Sequence, residues 1–320
     1  MDEWQFLKNR TAAGDGAVWR SADGRRYRRT GNADVLAEAQ HQHELVEAGY
    51  PVLEVIEVGE SDEGCYFLER SAGAASLHEL AIADSQRLGH VSDQVITQAV
   101  GLSTRLLEAQ ARNPLPGSAR DPEWFSRAGF VGNVYEENPD LDTGRVRHAV
   151  ERALRRLEQL PMVTSHLDYG LPNAYPYEVI DWQHCGPAPL GYDVYPMLEI
   201  VAFKGGNRGY RFSPAQRAEY LAGLDAASAR LTGRPLSEFL GEFLWVKCFF
   251  FLALMRPADD SRPAKHMKWR YRRALFQAGL EQYESSGVID TASFPTLAEF
   301  EQRSPATPSV TATTCWTDTG

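Results

Sequence analysis

Along the first seventy residues, apolar and polar positions follow one another in short runs broken by turn residues, the pattern of half-buried strands. AVWRS and RRYRRT flank the turn signal Ala22-Asp23-Gly24 and read as two antiparallel strands joined by a tight turn. Next, ADVLAEAQHQHELVEAG sets Val35, Leu36, Ala39, Leu45, Val46 and Ala48 at helical spacing, with Gly49 and Pro51 as its stop. VLEVIEVG and CYFLERS give a second strand pair, the latter bounded by Gly64 and the small-residue stretch SAGAAS.

After Ser71 the period changes from two to that of a helix. LHELAIADSQRLG, QVITQAVGLSTRLLEAQAR and RVRHAVERALRRLEQL all carry it. Two short strands around residues 165–184 interrupt the series. Helices are expected again at GYDVYPMLEIVAF, at SPAQRAEYLAGLDAASARL, around Phe243 and at HMKWRYRRALFQAGLEQYE. The pattern predicts an α+β chain: an N-terminal lobe over 1–71, a helical C-terminal lobe over 72–303, and a hinge near Glu69 to Gly73. Residues 304–320, rich in Ser, Thr and Pro, are expected to be a disordered tail.

Composition narrows the class. With 43% apolar and 24% charged residues in 320, the chain is globular and long enough for a substantial core. Cys65, Cys185, Cys248 and Cys315 are scattered without CxxC pairing, so neither a disulfide framework nor a zinc site is expected. The N-terminus lacks a signal-peptide pattern, and FLWVKCFFFLALM is too short for a membrane span and contains Lys247. A soluble, cytoplasmic protein is the expectation, with no membrane partner. A net charge of −10 argues against a nucleic-acid binder and is mildly compatible with a cationic small molecule. No protein partner is inferred.

The chemistry concentrates in SHLDYGLPNAYPYEVIDWQH, residues 165–184. Two carboxylates and an amide at the ends of short buried strands need a metal or a hydrogen-bonding network to offset burial. Asp168 is followed five residues on by Asn173, and Asp181 ends the run YEVID. Protein kinases use a similar order: a base Asp, an Asn on Mg²⁺ five positions later, and a further metal-holding Asp. The spacing has a physical reason, since one Asp must face the nucleophile while the other two face the metal across one phosphoryl group.

HLDYGLPN, VIDWQH and GYDV together resemble the aminoglycoside phosphotransferase and choline-kinase-like family, over about residues 10 to 280. The resemblance implies a two-lobed protein-kinase-like fold and transfer of the γ-phosphoryl group of ATP or GTP, with Mg²⁺, to a small-molecule hydroxyl. Carried over by position, Asp168 would be the catalytic base, Asn173 and Asp181 the Mg²⁺ ligands, His166 a brace of the loop, and Asp193 its tie from the following helix. Glu38 would pair with the strand cation that touches phosphate. The backbone of YFLERS, with Glu69 and Arg70, would receive adenine, and Gly14 and Gly16 would belong to the nucleotide-covering loop. Where the family has a strand Lys, RYRRTG offers Arg29 or Arg28, which keep the charge with a different geometry. The family's H-G-D is here H-L-D, and the hairpin between Asn173 and Asp181 must turn tightly at Tyr175-Pro176.

Other features have plainer readings. Arg28 and Arg29 also fit a basic edge strand. His41 and His43 lie two apart on a helix and so face different sides, which favours a surface reading over a metal site. The basic run from Lys265 to Arg273 reads as an exposed helix face with Trp269 or Tyr271 turned inward. Glu199, Glu238 and Glu242 are candidates for binding substrate amines, though a simple surface pair is the favoured reading of each.

Three functions are consistent with these residues. The leading one is a small-molecule O-phosphotransferase, an aminoglycoside or related antibiotic kinase giving resistance or self-protection, or a kinase of a sugar, amino alcohol or nucleoside. The second is a catalytically dead, nucleotide-binding pseudokinase-like protein, consistent with the missing strand Lys and altered H-G-D. The third, a protein kinase, lacks room for an activation segment, since only Trp182 to Leu190 separates Asp181 from Gly191.

Overall fold

The computed structural model describes residues 3–10, 16–62, 64–121, 124, 134–200, 209–253 and 262–303. Its strands are β1 (Trp4–Arg10), β2 (Gly16–Ser21), β3 (Arg26–Gly31), β4 (Val55–Ser61) and β5 (Gly64–Arg70), with α1 (Asp34–Glu47) between β3 and β4. They form one antiparallel five-stranded sheet in the order β1-β2-β3-β5-β4. Val35 and Ala39 of α1 pack with Phe67 of β5 as a small core of their own. The two strand pairs and the helix match the sequence pattern. β1 does not stand out in the sequence, because most of its residues are exposed at the sheet edge and need not be apolar.

Residues 71–76 lead into α2 (Leu77–Leu88) and α3 (Asp93–Arg112). α2 starts with a reciprocal Ser76–Glu79 capping box and stops at Gly89, whose φ of 78° suits glycine. Then follow β6 (Pro114–Leu115), α4 (Val134–Glu137), α5 (Gly144–Leu157), β7 (Met162–Ser165) and β8 (Gly186–Pro189). The last three strands make a small sheet, β6-β7-β8. Helices α6 (Pro214–Thr232), α7 (Leu240–Ala253), α8 (Pro263–Ser286) and α9 (Leu297–Arg303) complete this helical part. Its large core gathers Trp124, Tyr169, Tyr192, Tyr220, Phe243 and Trp245, all buried. On α8 it is Tyr271 that turns inward, fully buried.

One expected helix is corrected. Residues 191–200 form successive turns ending in a short 3-10 stretch, and not a regular α-helix. Pro196 explains the break, because it has no N–H to continue the ladder from within. Residues 201–203 of that expected helix, Gly14 of the glycine pair and the expected tail all lie outside the described residues. No helix among the described residues is long and apolar enough to cross a membrane.

One hydrogen bond ties the hairpin after Asn173 to the sheet part, and a second ties it to the start of α2. Val179 N–H donates to the Pro51 carbonyl at 2.7 Å, and Leu77 N–H to the Ala174 carbonyl at 2.7 Å. Both anchor points belong to the hairpin between Asn173 and Asp181, so that hairpin sits at the junction.

Candidate active site

The loop after β7 is built around an unusual backbone. Leu167 has φ 64°, in the left-handed region that L-residues rarely adopt. Asp193, wholly buried, accepts a hydrogen bond from Leu167 N–H at 3.1 Å through Oδ2 and thereby holds this conformation. Leu167 itself is buried in the main core. The conformation explains why a glycine suits this position and how a leucine can occupy it. Leu167→Gly would relieve about 1–2 kcal/mol of backbone penalty and forfeit about 1.5–3 kcal/mol of burial. Lost burial outweighs the relieved strain, so a net destabilisation of about 1 kcal/mol is expected. A urea midpoint that rises instead would mean that backbone strain outweighs packing.

His166 braces the same loop from inside. Its ring is fully buried, Nε2–H donates to the Ile180 carbonyl at 2.8 Å, and Nδ1 has no hydrogen-bond partner. The ring also meets Trp182 edge-on at 4.9 Å. This single bond links the residue two before Asp168 to the residue just before Asp181. Burial pushes the imidazole pKa down, against the opposing pull of Asp193 and the Ile180 hydrogen bond. In the unfolded chain a histidine titrates near about 6.5. Between the lowered folded value and that point, the unfolded chain binds more protons. The resulting stability is complete above about pH 6.5 and is lost as pH falls below it. Denaturant titrations at about pH 5 and pH 7 should show this drop, and His166→Asn should flatten it.

Asp168 is exposed at the loop tip, between buried Leu167 and Tyr169. Asn173 Nδ2 donates to the Asp168 carbonyl at 3.0 Å and approaches its carboxylate Oδ2 at 3.4 Å. The Asn173 amide oxygen is the end left for a cation. The hairpin closes through a bridge between Ala174 and Val179 and a Tyr175 N–H bond to the Glu178 carbonyl at 2.9 Å. The turn therefore runs over Pro176-Tyr177, beside the Tyr175-Pro176 expected. Asp181 follows in the left-handed region, φ 69°, a strained setting of the kind that collects at functional sites.

Across the crevice stands Arg29, on β3. Its Nε donates to Glu69 Oε1 at 2.6 Å, and Nη1 lies 3.5 Å from Glu38 and 3.8 Å from Asp181. Gln42 of α1 holds the other Glu69 oxygen at 2.9 Å. Arg10, at the end of β1, binds the second oxygen of Glu38. Burial disfavours the Arg29 cation, but Glu69, Glu38 and Asp181 outweigh it and raise its pKa. Arg28, one residue earlier and so on the opposite face of the strand, stacks over Tyr66 at 4.4 Å and reaches Ser61 at 3.3 Å. Of the two arginines, only Arg29 faces the crevice with Glu38 and Asp181.

A cavity of about 160 Å³ opens here, with Val18, Leu53, Ala72 and Ile180 as apolar walls and Arg29 and Asp181 at a charged end. Such a slot suits a flat base with phosphates at the charged end. Its volume is below the ~300 Å³ typical of a small-molecule site. Arg70 turns away, pairing with Glu54 at the surface, and its N–H donates to the Glu54 carbonyl. Ser71 N–H is likewise engaged, by the Arg25 carbonyl. Gly16 has its own steric reason: a Cβ there would sit 2.2 Å from the Thr30 carbonyl oxygen.

A magnesium ion fits this donor set. Glu38, Glu69 and Asp181 bring three negative charges against two from Arg10 and Arg29, so one negative charge is left over, and a divalent cation there would leave a net positive charge for phosphate oxygens to meet. Two oxygen donors from the protein, with phosphate and water completing the shell, match how Mg²⁺ is held. Among the described residues, no cluster of three or more His, Cys, Asp or Glu forms a cage for a metal.

The three acids proposed for amines are engaged within the chain. Glu199 is buried, with Arg217 at 2.8 Å and Thr291. Glu238 pairs with Arg234, and Glu242 lies 3.7 Å from Arg156 and 3.4 Å from Tyr283. Glu199 does line a cavity of about 470 Å³, with Tyr210, Phe212 and Arg217, but none of Asp168, Asn173 and Asp181 lines it. Sequence reasoning missed Lys247, Arg10 and Gln42. Lys247 lies buried on α7, 3.8 Å from Asp193 Oδ1 and 3.8 Å above the Tyr192 ring. A lysine alone inside an otherwise apolar helix was the available signal.

The sheet, the helical part and the crevice between them are those of a kinase-like small-molecule phosphotransferase. The phosphotransferase enzyme family (APH) matches residues 16–236, more than half of the chain, and the chain belongs to that family. Two solved structures agree on the fold. A candidate aminoglycoside phosphotransferase from Ralstonia eutropha superposes with a TM-score of 0.57 at 13% identity, covering 89% of this chain and 93% of its own. The amicoumacin kinase hAmiN, solved with AMP-PNP, Ca²⁺ and Ami, gives 0.52 at 13% identity, with 94% and 91% covered. The streptomycin- and ADP-bound enzyme APH(3'')-Id from Streptomyces rimosus is 19% identical over 77% of this chain and 92% of its own, with a TM-score of 0.46. No curated protein matches the sequence.

Proposed function

We propose that this phosphotransferase uses ATP or GTP to phosphorylate a hydroxyl of a small molecule, with Asp168 as base and Asn173 and Asp181 as the Mg²⁺ ligands. The observation that carries this reading is the His166–Ile180 hydrogen bond together with the Asp181–Arg29 approach. They draw the Asp168 loop, Asp181 and a buried strand cation into one crevice. Asp168, exposed at the loop tip, orients the acceptor hydroxyl and takes its proton. Arg29, pre-set by Glu38 and Glu69, lies where phosphate oxygens need a cation. Bound Mg²⁺ neutralises charge on the transferring phosphoryl group. Positioning and charge neutralisation supply most of the rate gain in such transfers. The purine of the nucleotide lies in the apolar slot beside Ala72, since the Arg70 and Ser71 amides are already used. Asp193 and His166 act by holding the loop.

An aminoglycoside or related antibiotic is the first acceptor to test, on the strength of family membership and the net negative charge. A sugar, amino alcohol or nucleoside acceptor is the second reading. It is favoured by the arginine neighbours of Glu199, Glu238 and Glu242, which reduce the charge available to a polycation. The test is ADP and GDP release with Mg²⁺ across both acceptor panels, run beside Asp168→Asn. Turnover that disappears in the variant supports the assignment. Nucleotide binding with no turnover on any acceptor would favour a pseudokinase-like role, and absence of binding would remove the nucleotide reading altogether.

A further inference from the structure

One turn beyond Glu38 on α1, His41 places Nε2 2.9 Å from the sulfur of Cys185. The other ring nitrogen, Nδ1, lies 3.7 Å from a carboxylate oxygen of Glu44. A carboxylate, an imidazole and a thiol are thus aligned in sequence, the arrangement by which a base activates a nucleophile. Glu44 lies on the Nδ1 side of the ring, and in the tautomer with its proton on Nδ1 the Nε2 lone pair faces the sulfur. Cys185 closes the short 3-10 turn Trp182–His184 that begins directly after Asp181.

His41, Trp182 and Cys185 line a cavity of about 290 Å³, together with Arg10, Asp34, Glu38 and Gln183. Arg10 is buried, and its Nη1 has no hydrogen-bond partner. Its charge is paired with Glu38 through Nη2, so what Arg10 offers the cavity is the Nη1 donor, while thiolate character and access together control cysteine reactivity. Another cysteine of the chain gives the contrast. Cys248 is buried, which pushes its thiol well above the usual range, whereas Cys185 is half-buried at the cavity wall and outside any disulfide.

We propose that Cys185 is a modification site that takes small peroxide-class oxidants, with His41 as its base. His41 Nε2 accepts the thiol proton, and the sulfur attacks one peroxide oxygen. The S–O bond forms as the O–O bond breaks, and the leaving hydroxide takes the proton from His41 to give water. Sulfur is oxidised by two electrons to a sulfenic acid and peroxide is reduced. The added oxygen lies between the helix that carries Glu38 and the turn that follows Asp181. Resting on the proposed function, oxidation therefore weakens Mg²⁺–nucleotide binding.

The test treats the full-length protein with hydrogen peroxide, traps sulfenic acid with a cyclic 1,3-diketone, and maps labelled peptides by mass. Label is expected at Cys185 about tenfold faster than at half-buried Cys65, and slower by a similar factor in His41→Gln. Equal rates at the two cysteines, or no change in His41→Gln, would overturn the site. In parallel, Mg²⁺–ADP affinity should fall with labelling in the unsubstituted protein and stay constant in Cys185→Ser. Full labelling with unchanged affinity would overturn the coupling to nucleotide binding. A protein that binds no Mg²⁺–ADP before treatment would count against the proposed function, while the labelling result still decides the thiol.

Discussion

Asp168→Asn is expected to lower kcat by about 10²–10⁴-fold, the range for removing a positioned general base. The amide is nearly isosteric but cannot take up the acceptor proton at neutral pH. Asn173 keeps its hydrogen bond to the Asp168 backbone carbonyl, which the substitution leaves in place. Asp168 is exposed, so stability should stay within about 0.5 kcal/mol. The KM for nucleotide should be nearly unchanged, because Asn173, Asp181 and Arg29 remain. This combination separates a chemical role from a structural one. A variant retaining more than about a tenth of the activity would show that positioning alone drives the transfer and that Asp168 is not its base.

The second large effect is structural and lies farther from the crevice. Lys247→Met leaves the buried Asp193 carboxylate without its cation, and breaking such a pair from one side costs about 3–5 kcal/mol. The contact of the ammonium with the Tyr192 ring is lost as well. Thermal unfolding should drop by on the order of 10 °C. Asp193 Oδ2 also holds Leu167 N–H, so disturbance at Lys247 should reach the Asp168 loop and lower kcat. The double variant Lys247→Met with Asp193→Asn should recover part of the stability, because no unpaired charge remains buried. If the double variant is no more stable than the single one, the loss comes from packing around α7 and not from the charge.

The hydrogen-bonding network inside the sheet shows how one position can read differently in sequence and in space. Glu69 sits at the end of β5, where the family resemblance implies a role for its backbone. Its side chain instead fills the rear of the crevice, held by Arg29 and Gln42. Nothing in the linear spacing joins residues 29, 42 and 69. The antiparallel register that sets Tyr27 opposite Glu69 and Arg29 opposite Phe67 does so. By contrast, the Asp168, Asn173 and Asp181 series was legible because all three lie on one short loop and hairpin, where local geometry ties spacing to position.

By itself the sequence determined the local features of this protein. Strand and helix periods, the Gly49 and Gly89 stops, and the order of acidic and amide residues in 165–184 all depend on neighbours a few positions away. The tertiary structure decided what joins distant segments: that Arg29 rather than Arg28 faces the crevice, that Lys247 balances Asp193, and that His41 meets Cys185. These pairings depend on strand register and on how α1 and α7 pack, and a hydrophobic pattern constrains which face is buried without naming the partner across the gap. Charges buried within that packing then had to find partners, because an unpaired one would have been too costly to keep.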